Sequence, residues 1–396
     1  MSQIEGVYKN ALELLRKLST ENGFTASLED VANYKRIWTR DGIIMGLAAM
    51  QSGDISLIAT LKQTLLTIRK HQDETGRLPS NVSIDAGQVS YGTTVGRIDA
   101  TIWYVVGVCE YFLYTKDKAF WADFKNSAEK ALWYLKCLEL NGRGFLYIPQ
   151  GGDWADEYIN HGYVLYDQML YYFALAGFAK CSGDQKTSHK RDYLKEMIRV
   201  NFLPDKKFLD NAHIYHPLMY GKMLESYQPP LPVTYFSNHS VRFHIDMFAT
   251  SLLLLSGLLE EKQVKTIRNT IIETTKPDGF PILPAFFPVI KPGEENWEQL
   301  EGNFLFEFRN KPHEYHNGGL WPLLQGFFLV SDGSNDLKEL DALASVLKDG
   351  RDQFPEFFHG QTFKPSGTKD LGMSAAGFIL AYQAKVKNIK VLSNLA

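Results

Sequence analysis

Cysteine is scarce in this chain: Cys109, Cys137 and Cys181 are the only three in 396 residues. All three sit inside apolar helical patterns, so buried thiols in a reducing compartment are expected rather than a disulfide framework. Long apolar runs are missing too, which excludes a membrane-spanning helix. Residues 1–18 mix charges with apolar residues at helical spacing and lack the continuous apolar core of a signal peptide; a cytoplasmic protein is expected. Neither sign of charge dominates. With 42 Lys and Arg against 45 Asp and Glu scattered through the chain, the formal net charge is −3, and no basic footprint for nucleic acid exists. Low-complexity tracts, charge blocks and Pro/Gly/Ser spacers are absent, so residues 1–396 read as one domain, and nothing indicates an oligomer. There is no Walker pattern, no GxGxxG after a strand and no Ser nucleophile elbow. No cofactor is expected.

What is abundant is helical periodicity. With 45% hydrophobic residues the chain can bury a large core. Its apolar residues recur at i, i+3 and i+4 in about twelve segments: 3–18, 42–52, 55–71, 97–114, 118–138, 164–181, 188–201, 243–259, 261–275, 318–331, 335–350 and 372–387. Strands are hardly signalled. The connections alternate, short at 52–54, 115–117, 182–186, 260–261 and 332–335, long at 19–41, 72–96, 139–163, 201–242, 276–317 and 351–371. Connections of a few residues force antiparallel neighbours, whereas loops longer than about 12–15 residues in a compact domain are usually functional. Six helix pairs are therefore expected, closed into an all-α (α/α)6 toroid with every long loop on one face. Residues 43–50, 248–259 and 373–381 carry few charges on any side and suit an inner layer; residues 10–18 and 336–348 are amphipathic and suit an outer one. An open α-solenoid is the alternative, but no internal repeat favours it.

The long loops and the N-termini of the inner helices gather the residues capable of chemistry. In order they carry Trp38, Arg40 and Asp41; Arg97 and Asp99; Asp153, Trp154, Asp156 and Tyr163; His239, His244 and Asp246; His313, His316, Asn317 and Trp321; and Glu356 among aromatics. Singly, each has a plainer role: Asp41 could cap its helix, worth about 0.5–2 kcal/mol, and Arg97 and Asp99 could form an ordinary salt bridge. Their recurrence on one face argues for a pocket. His313 and His316, with Glu314 between them, fall short of a zinc pattern, and no metal is expected. Carboxylates and aromatics without metal or nucleotide motifs suit a small carbohydrate, because aromatic faces pack on sugar C–H groups while Asp, Arg, Asn and His bind hydroxyls. Glycoside hydrolysis needs one protonated carboxyl to help the leaving oxygen depart and one carboxylate to activate water or attack carbon. Asp153 or Asp156, opposite Glu356, could form that pair, with Trp154 desolvating the acid.

These residues resemble the alkaline/neutral invertases, a family of six-hairpin glycoside hydrolases, over most of the chain. Tyr315, His316, Asn317, Gly318, Gly319, Leu320, Trp321 and Pro322 are similar to the family's YHNGGxWP segment. Trp38, Thr39, Arg40 and Asp41 look like its WxRD segment, shared with glucoamylases and debranching enzymes. Arg97 to Asp99, His161 to Tyr163, His244 to Phe248 and Pro355 to Phe358 follow in the family's order. The resemblance implies inverting hydrolysis of sucrose or a related α-glucoside, with Asp156 as general acid, Glu356 as general base and Asp41 holding hydroxyls of the cleaved sugar. The remaining expected substrate contacts are Trp38, Arg40, Arg97, Asp99, Asp153, Trp154, Tyr163, Asp246, His316, Asn317 and Trp321. One departure is visible: invertases follow the acid with a pair of Arg, whereas Asp156 is followed by Glu157, Tyr158 and Ile159, which should alter the leaving-group subsite. Alternatives are an exo-acting α-glucosidase or amylo-1,6-glucosidase on glucan branches, a sugar epimerase working through His244 and His316, and a non-catalytic sugar-binding protein.

Overall fold

The computed structural model describes residues 2–85, 87–275, 279–302, 307–349 and 354–395. The expected loop or helix ends at 276–278 and 350–353 lie outside the described residues, as do 303–306. Outer and inner helices alternate along the chain: α1 (Gln3–Leu18) outer, α2 (Thr39–Ser52) inner, α3 (Ile55–Lys70) outer, α4 (Ile98–Thr115) inner, α5 (Lys118–Cys137) outer, α6 (Leu165–Ser182) inner and α7 (Gln185–Asn201) outer. After α8 (Pro217–Ser226), inside a long loop, come α9 (Met247–Leu255) inner and α10 (Glu261–Thr275) outer. The short α11 (Trp297–Glu301) precedes α12 (Pro322–Val330) inner, α13 (Lys338–Asp349) outer and α14 (Gly372–Lys387) inner.

Composition sorts the layers. In α1 the buried residues are Ile4, Val7, Ala11, Leu14, Leu15 and Leu18, one stripe at helical spacing. By contrast α6 is buried on every side from Leu165 to Ala179, as a helix between two layers must be. The inner helices close a ring in which α2 packs on α4, α4 on α6, α6 on α9, α9 on α12, α12 on α14, and α14 back on α2. Closure is tightest between α12 and α14, where a Cβ built on Gly326 would stand 2.2 Å from the Gly377 carbonyl oxygen. The (α/α)6 toroid follows, and the open solenoid does not.

A repeat does exist, in the turns. Ser52-Gly53-Asp54, Thr115-Lys116-Asp117 and Ser182-Gly183-Asp184 each end an inner helix and start an outer one. The hydroxyl bonds back to a carbonyl of its own helix, the middle residue takes a left-handed conformation, and the Asp side chain caps the next helix. Three residues thus reverse the chain at the end remote from the long loops.

Several expectations need correction. Two- and three-residue strands, unsignalled in the sequence, pair within and between the long loops. The segment expected from 243 starts at Met247 because Val241–Arg242 and Ile245–Asp246 are extended and Asp246 caps the helix. The segment expected from 318 starts at Pro322, whose missing N–H is harmless in a first turn. Helix α2 begins at Thr39, before the expected 42, so Trp38 is the capping residue and Asp41 lies inside the first turn without capping it. Cys109 is buried, but Cys137 is exposed on α5; all three thiols are unpaired. No described helix is long and apolar enough to cross a membrane.

Candidate active site

The N-terminal turns of the inner helices open into a cavity of about 340 Å³, at the lower end of the ~300–1,000 Å³ typical of small-molecule sites. Arg40 and Asp41 of α2, Arg97 at the start of α4, Phe248 of α9, Leu323 of α12 and Met373 of α14 all line it. Such helix ends present partial positive charge to whatever enters. The long loops supply the remaining walls, and short strands fix their register. Trp38 pairs with Asn81 across one such ladder, and both residues reach the cavity.

Asp156 lines the cavity. The guanidinium of buried Arg97 donates to its Oδ2 at 2.6 Å and also to the Gly151 carbonyl, so Arg97 ties the ends of the acid-bearing turn together. Glu356 faces the same space, buried at 3% exposure. Tyr34 Oη donates to its Oε1 at 2.5 Å and the Thr368 N–H to its Oε2 at 3.1 Å. Burial raises its pKa, while Tyr34 and the Arg309 charge work the other way. Its position is delivered by two adjoining loops: Leu320 and Phe358 exchange backbone bonds of 2.9 and 2.8 Å, which clamps the segment of Trp321 to that of Glu356. Two glycines are required here. A Cβ on Gly319 would lie 2.2 Å from the Tyr315 carbonyl oxygen, and one on Gly367, at φ +71°, 2.4 Å from Glu356 Oε2.

Asp41 is nearly fully buried, and among the described residues its Oδ2 has no hydrogen-bond partner, Arg40 Nε lying 3.9 Å away. Burial pushes its pKa to about 6 against the pull of Arg40. Arg40 itself is held by Asp99, Nη1 to Oδ2 at 2.8 Å. Aromatic surface comes from Trp38, Trp154, Tyr315 and Trp321, with His316 and Trp321 stacked at 5.6 Å. His316 is buried, its Nδ1 has no hydrogen-bond partner among the described residues, and burial and three arginines drive it well below the ordinary imidazole pKa, so it is neutral.

Of the expected residues, Asp156, Glu356, Trp38, Arg40, Asp41, Arg97, Trp154, His316 and Trp321 line the cavity. Five do not. Asp99 sits behind Arg40 and accepts from Tyr166. Asp153 is turned under the loop, where its Oδ1 accepts from the Ala155 N–H. Asp246 caps α9 through the Ala249 N–H. Asn317 staples its own loop, exchanging two 2.8 Å bonds with the backbone of Ile290. Tyr163 points away, into a separate pocket with Tyr215. Asp153, Asp167 and Asp246 form an acidic layer beneath the cavity. Burial, with mutual repulsion, pushes Asp153 and Asp167 well above the usual carboxylate range, and burial lifts Asp246 to about 7.

Sequence reasoning missed Tyr34 and Arg309. Arg309 pairs with Glu157, the residue that departs from the invertase pattern, and lies 4.1 Å over the Tyr315 ring. Its Nη1 also reaches Tyr34 Oη at 3.4 Å. Glu157 is buried, which raises its pKa, while Arg309 opposes that rise. Tyr34 lies just upstream of the Trp38 motif in the same long loop, and that proximity was the only signal. No group of residues that could hold a metal ion occurs among the described residues.

Residues 236–384 match a family model described as alkaline and neutral invertase; Glu356 falls inside that match and Asp156 outside it. A probable alkaline/neutral invertase A, chloroplastic, of Arabidopsis thaliana is 22% identical over 426 residues, covering 92% of this chain and 66% of the relative. Neutral/alkaline invertase 1, mitochondrial, of Oryza sativa subsp. japonica is 21% identical over 85% of this chain and 62% of its own. The chain therefore spans about two thirds of the length of these relatives. In fold it is similar to a bacterial glucoamylase complexed with acarbose, with a TM-score of 0.67 at 15% identity over 99% of this chain and 57% of that one. A GH63 mannosylglycerate hydrolase from Thermus thermophilus, in complex with Tris and D-glycerate, superposes with a TM-score of 0.60 at 13% identity over 94% and 99% of the two chains. In sequence this chain is similar to the alkaline/neutral invertases, and its fold is the (α/α)6 toroid that these two solved structures share.

Proposed function

We propose that the chain is an inverting glycoside hydrolase acting on a small, neutral α-glucoside, with Asp156 as general acid and Glu356 as general base. The observation that carries this reading is the meeting of Asp156, from the third long loop, and Glu356, from the sixth, in one cavity with three tryptophans. In the proposed step Asp156 gives its proton to the glycosidic oxygen as the bond to the anomeric carbon breaks. Glu356 takes a proton from a water that attacks that carbon from the opposite face, so the configuration inverts. Arg97 positions the acid; Tyr34 and the Thr368 N–H position the base. The unpartnered oxygen of Asp41 accepts from sugar hydroxyls, whose loss would leave it buried and unsatisfied.

Sucrose is the first candidate substrate. On the leaving-group side, Glu157 and Arg309 stand as a neutralised pair in place of two arginines. The lining acids Asp41, Asp156, Glu157, Glu307 and Glu356 outnumber Arg40, Arg97 and Arg309, which disfavours a phosphorylated leaving group. The epimerase reading has less support, because His244 lies outside this cavity and burial drives it to about 3. The unpaired thiols suit a cytoplasmic setting, which cell fractionation would test against an organellar one.

Glu356→Gln and Asp156→Asn should each lower hydrolysis of the natural glycoside at least a thousandfold while the circular dichroism spectrum is unchanged. A glycosyl fluoride, whose leaving group needs no proton, should restore turnover to Asp156→Asn but not to Glu356→Gln. Wild-type rates in either variant on the natural glycoside would remove that residue from the mechanism.

A further inference from the structure

Tyr163, expected in the active site, belongs to a different cavity of about 550 Å³ built from the third and fourth long loops. Its charged lining is of one sign, Arg143 and Lys222, joined by the imidazoles of His216 and His239, with no carboxylate among the described lining residues. In a chain of net charge −3, whose catalytic cavity carries an excess of acids, these exposed side chains make a local basic rim. Among the described residues none of the four is engaged in an ion pair. Arg143 lies over the Tyr215 ring, which fixes its guanidinium at the rim. The remaining polar groups are Asn141, Asn238, Ser237, Ser240 and the hydroxyls of Tyr163 and Tyr215, the last two joined to Asn141 in a hydrogen-bonded row.

We propose that this pocket is a second ligand site, for a phosphorylated monosaccharide. The phosphate takes the Arg143 and Lys222 end, where a planar guanidinium and an ammonium give charge-assisted bonds; the amides and hydroxyls meet the sugar hydroxyls. The first turn of α8 borders the same space, where the His216 side chain caps it by accepting from the Met219 N–H. Placement gives the site a consequence. Asn141 and Arg143 stand at the start, and Tyr163 at the end, of the long loop that carries Asp156, while residues 215–241 of the next loop form the facing wall. A ligand seated here ties both ends of the Asp156 loop to its neighbour.

Isothermal titration calorimetry of the full chain with glucose 6-phosphate, inorganic phosphate and glucose tests this. The site assigns tightest binding to glucose 6-phosphate, weakening with added salt, and at least a tenfold loss in the Arg143→Gln/Lys222→Gln double variant. The same titration with Glu356→Gln should be unchanged, which separates this pocket from the catalytic one. Lys222 is exposed, so Lys222→Gln alone, with several-fold weaker binding expected, serves if the double variant does not fold. Absence of binding at millimolar glucose 6-phosphate, or binding unaltered by these substitutions, overturns the site. Equal affinity for inorganic phosphate overturns its assignment to a sugar.

Discussion

Asp41 is where stability and function should be set against each other. Burial lifts its pKa from the ordinary 3.8 to about 6. Between those values the native state keeps a proton that the unfolded chain has lost, so stability falls as pH rises through the window and stays low above it. At about 1.4 kcal/mol per unit, the displacement amounts to about 3 kcal/mol. Asp41→Asn keeps the shape and cannot ionise, and Arg40 retains its 2.8 Å bond to Asp99, so no charge is stranded. The variant should therefore be more stable than the wild type by up to about 3 kcal/mol at neutral pH, with the gain vanishing near pH 4. Above about pH 6, where Asp41 is ionised, kcat/KM should fall at least tenfold, because the amide lacks the charged acceptor that the carboxylate offers the sugar; the difference should shrink toward pH 4. Urea denaturation of both proteins between about pH 4 and pH 8, alongside turnover, reads both effects. A variant less stable at neutral pH, or a stability difference that does not change with pH, would refute the reasoning.

Tyr34→Phe removes the 2.5 Å bond to Glu356, which holds that carboxyl's pKa down; the acidic limb of the pH–rate profile should move to higher pH with kcat lowered about tenfold. An unmoved limb would mean that Tyr34 does not tune Glu356. Glu110 on α4, which accepts from Asn394 far from the cavity, is raised by burial to about 7 from an ordinary 4.5. By the same sign, Glu110→Gln should add up to about 3 kcal/mol above pH 7 and nothing near pH 4, with activity unchanged; thermal melts at the two pH values check it.

The ring was legible because helix geometry turns loop lengths into topology. Short turns at 52–54, 115–117 and 182–184 impose hairpins, and few-charge helices such as residues 43–50 have nowhere to go but the inner layer. The Ser/Thr-x-Asp recurrence that builds those turns escaped notice because it is three residues long. Cavity-lining residues were legible where a motif marked them, as at Trp38, Arg40 and Asp41 and at Trp321. Motifs mark a neighbourhood, however, and not the face of a loop. Asp153 and Asp156 are three residues apart, and backbone bonding at Ala155 turns one under the loop and leaves the other in the cavity. Asn317 and Tyr163 went astray for the same reason. Arg309 carried no periodicity or motif, and only the fold brings it to Glu157.

The most direct test of the central claim is proton NMR of the purified protein with sucrose, trehalose, maltose and isomaltose, following the anomeric signals from the first minutes. Early β-glucose from one of these is the predicted result, and it would establish both cleavage of an α-glucoside and attack by water opposite the leaving group. Early α-glucose would contradict the inverting roles of Asp156 and Glu356, and no release from any of the four would contradict the hydrolase itself.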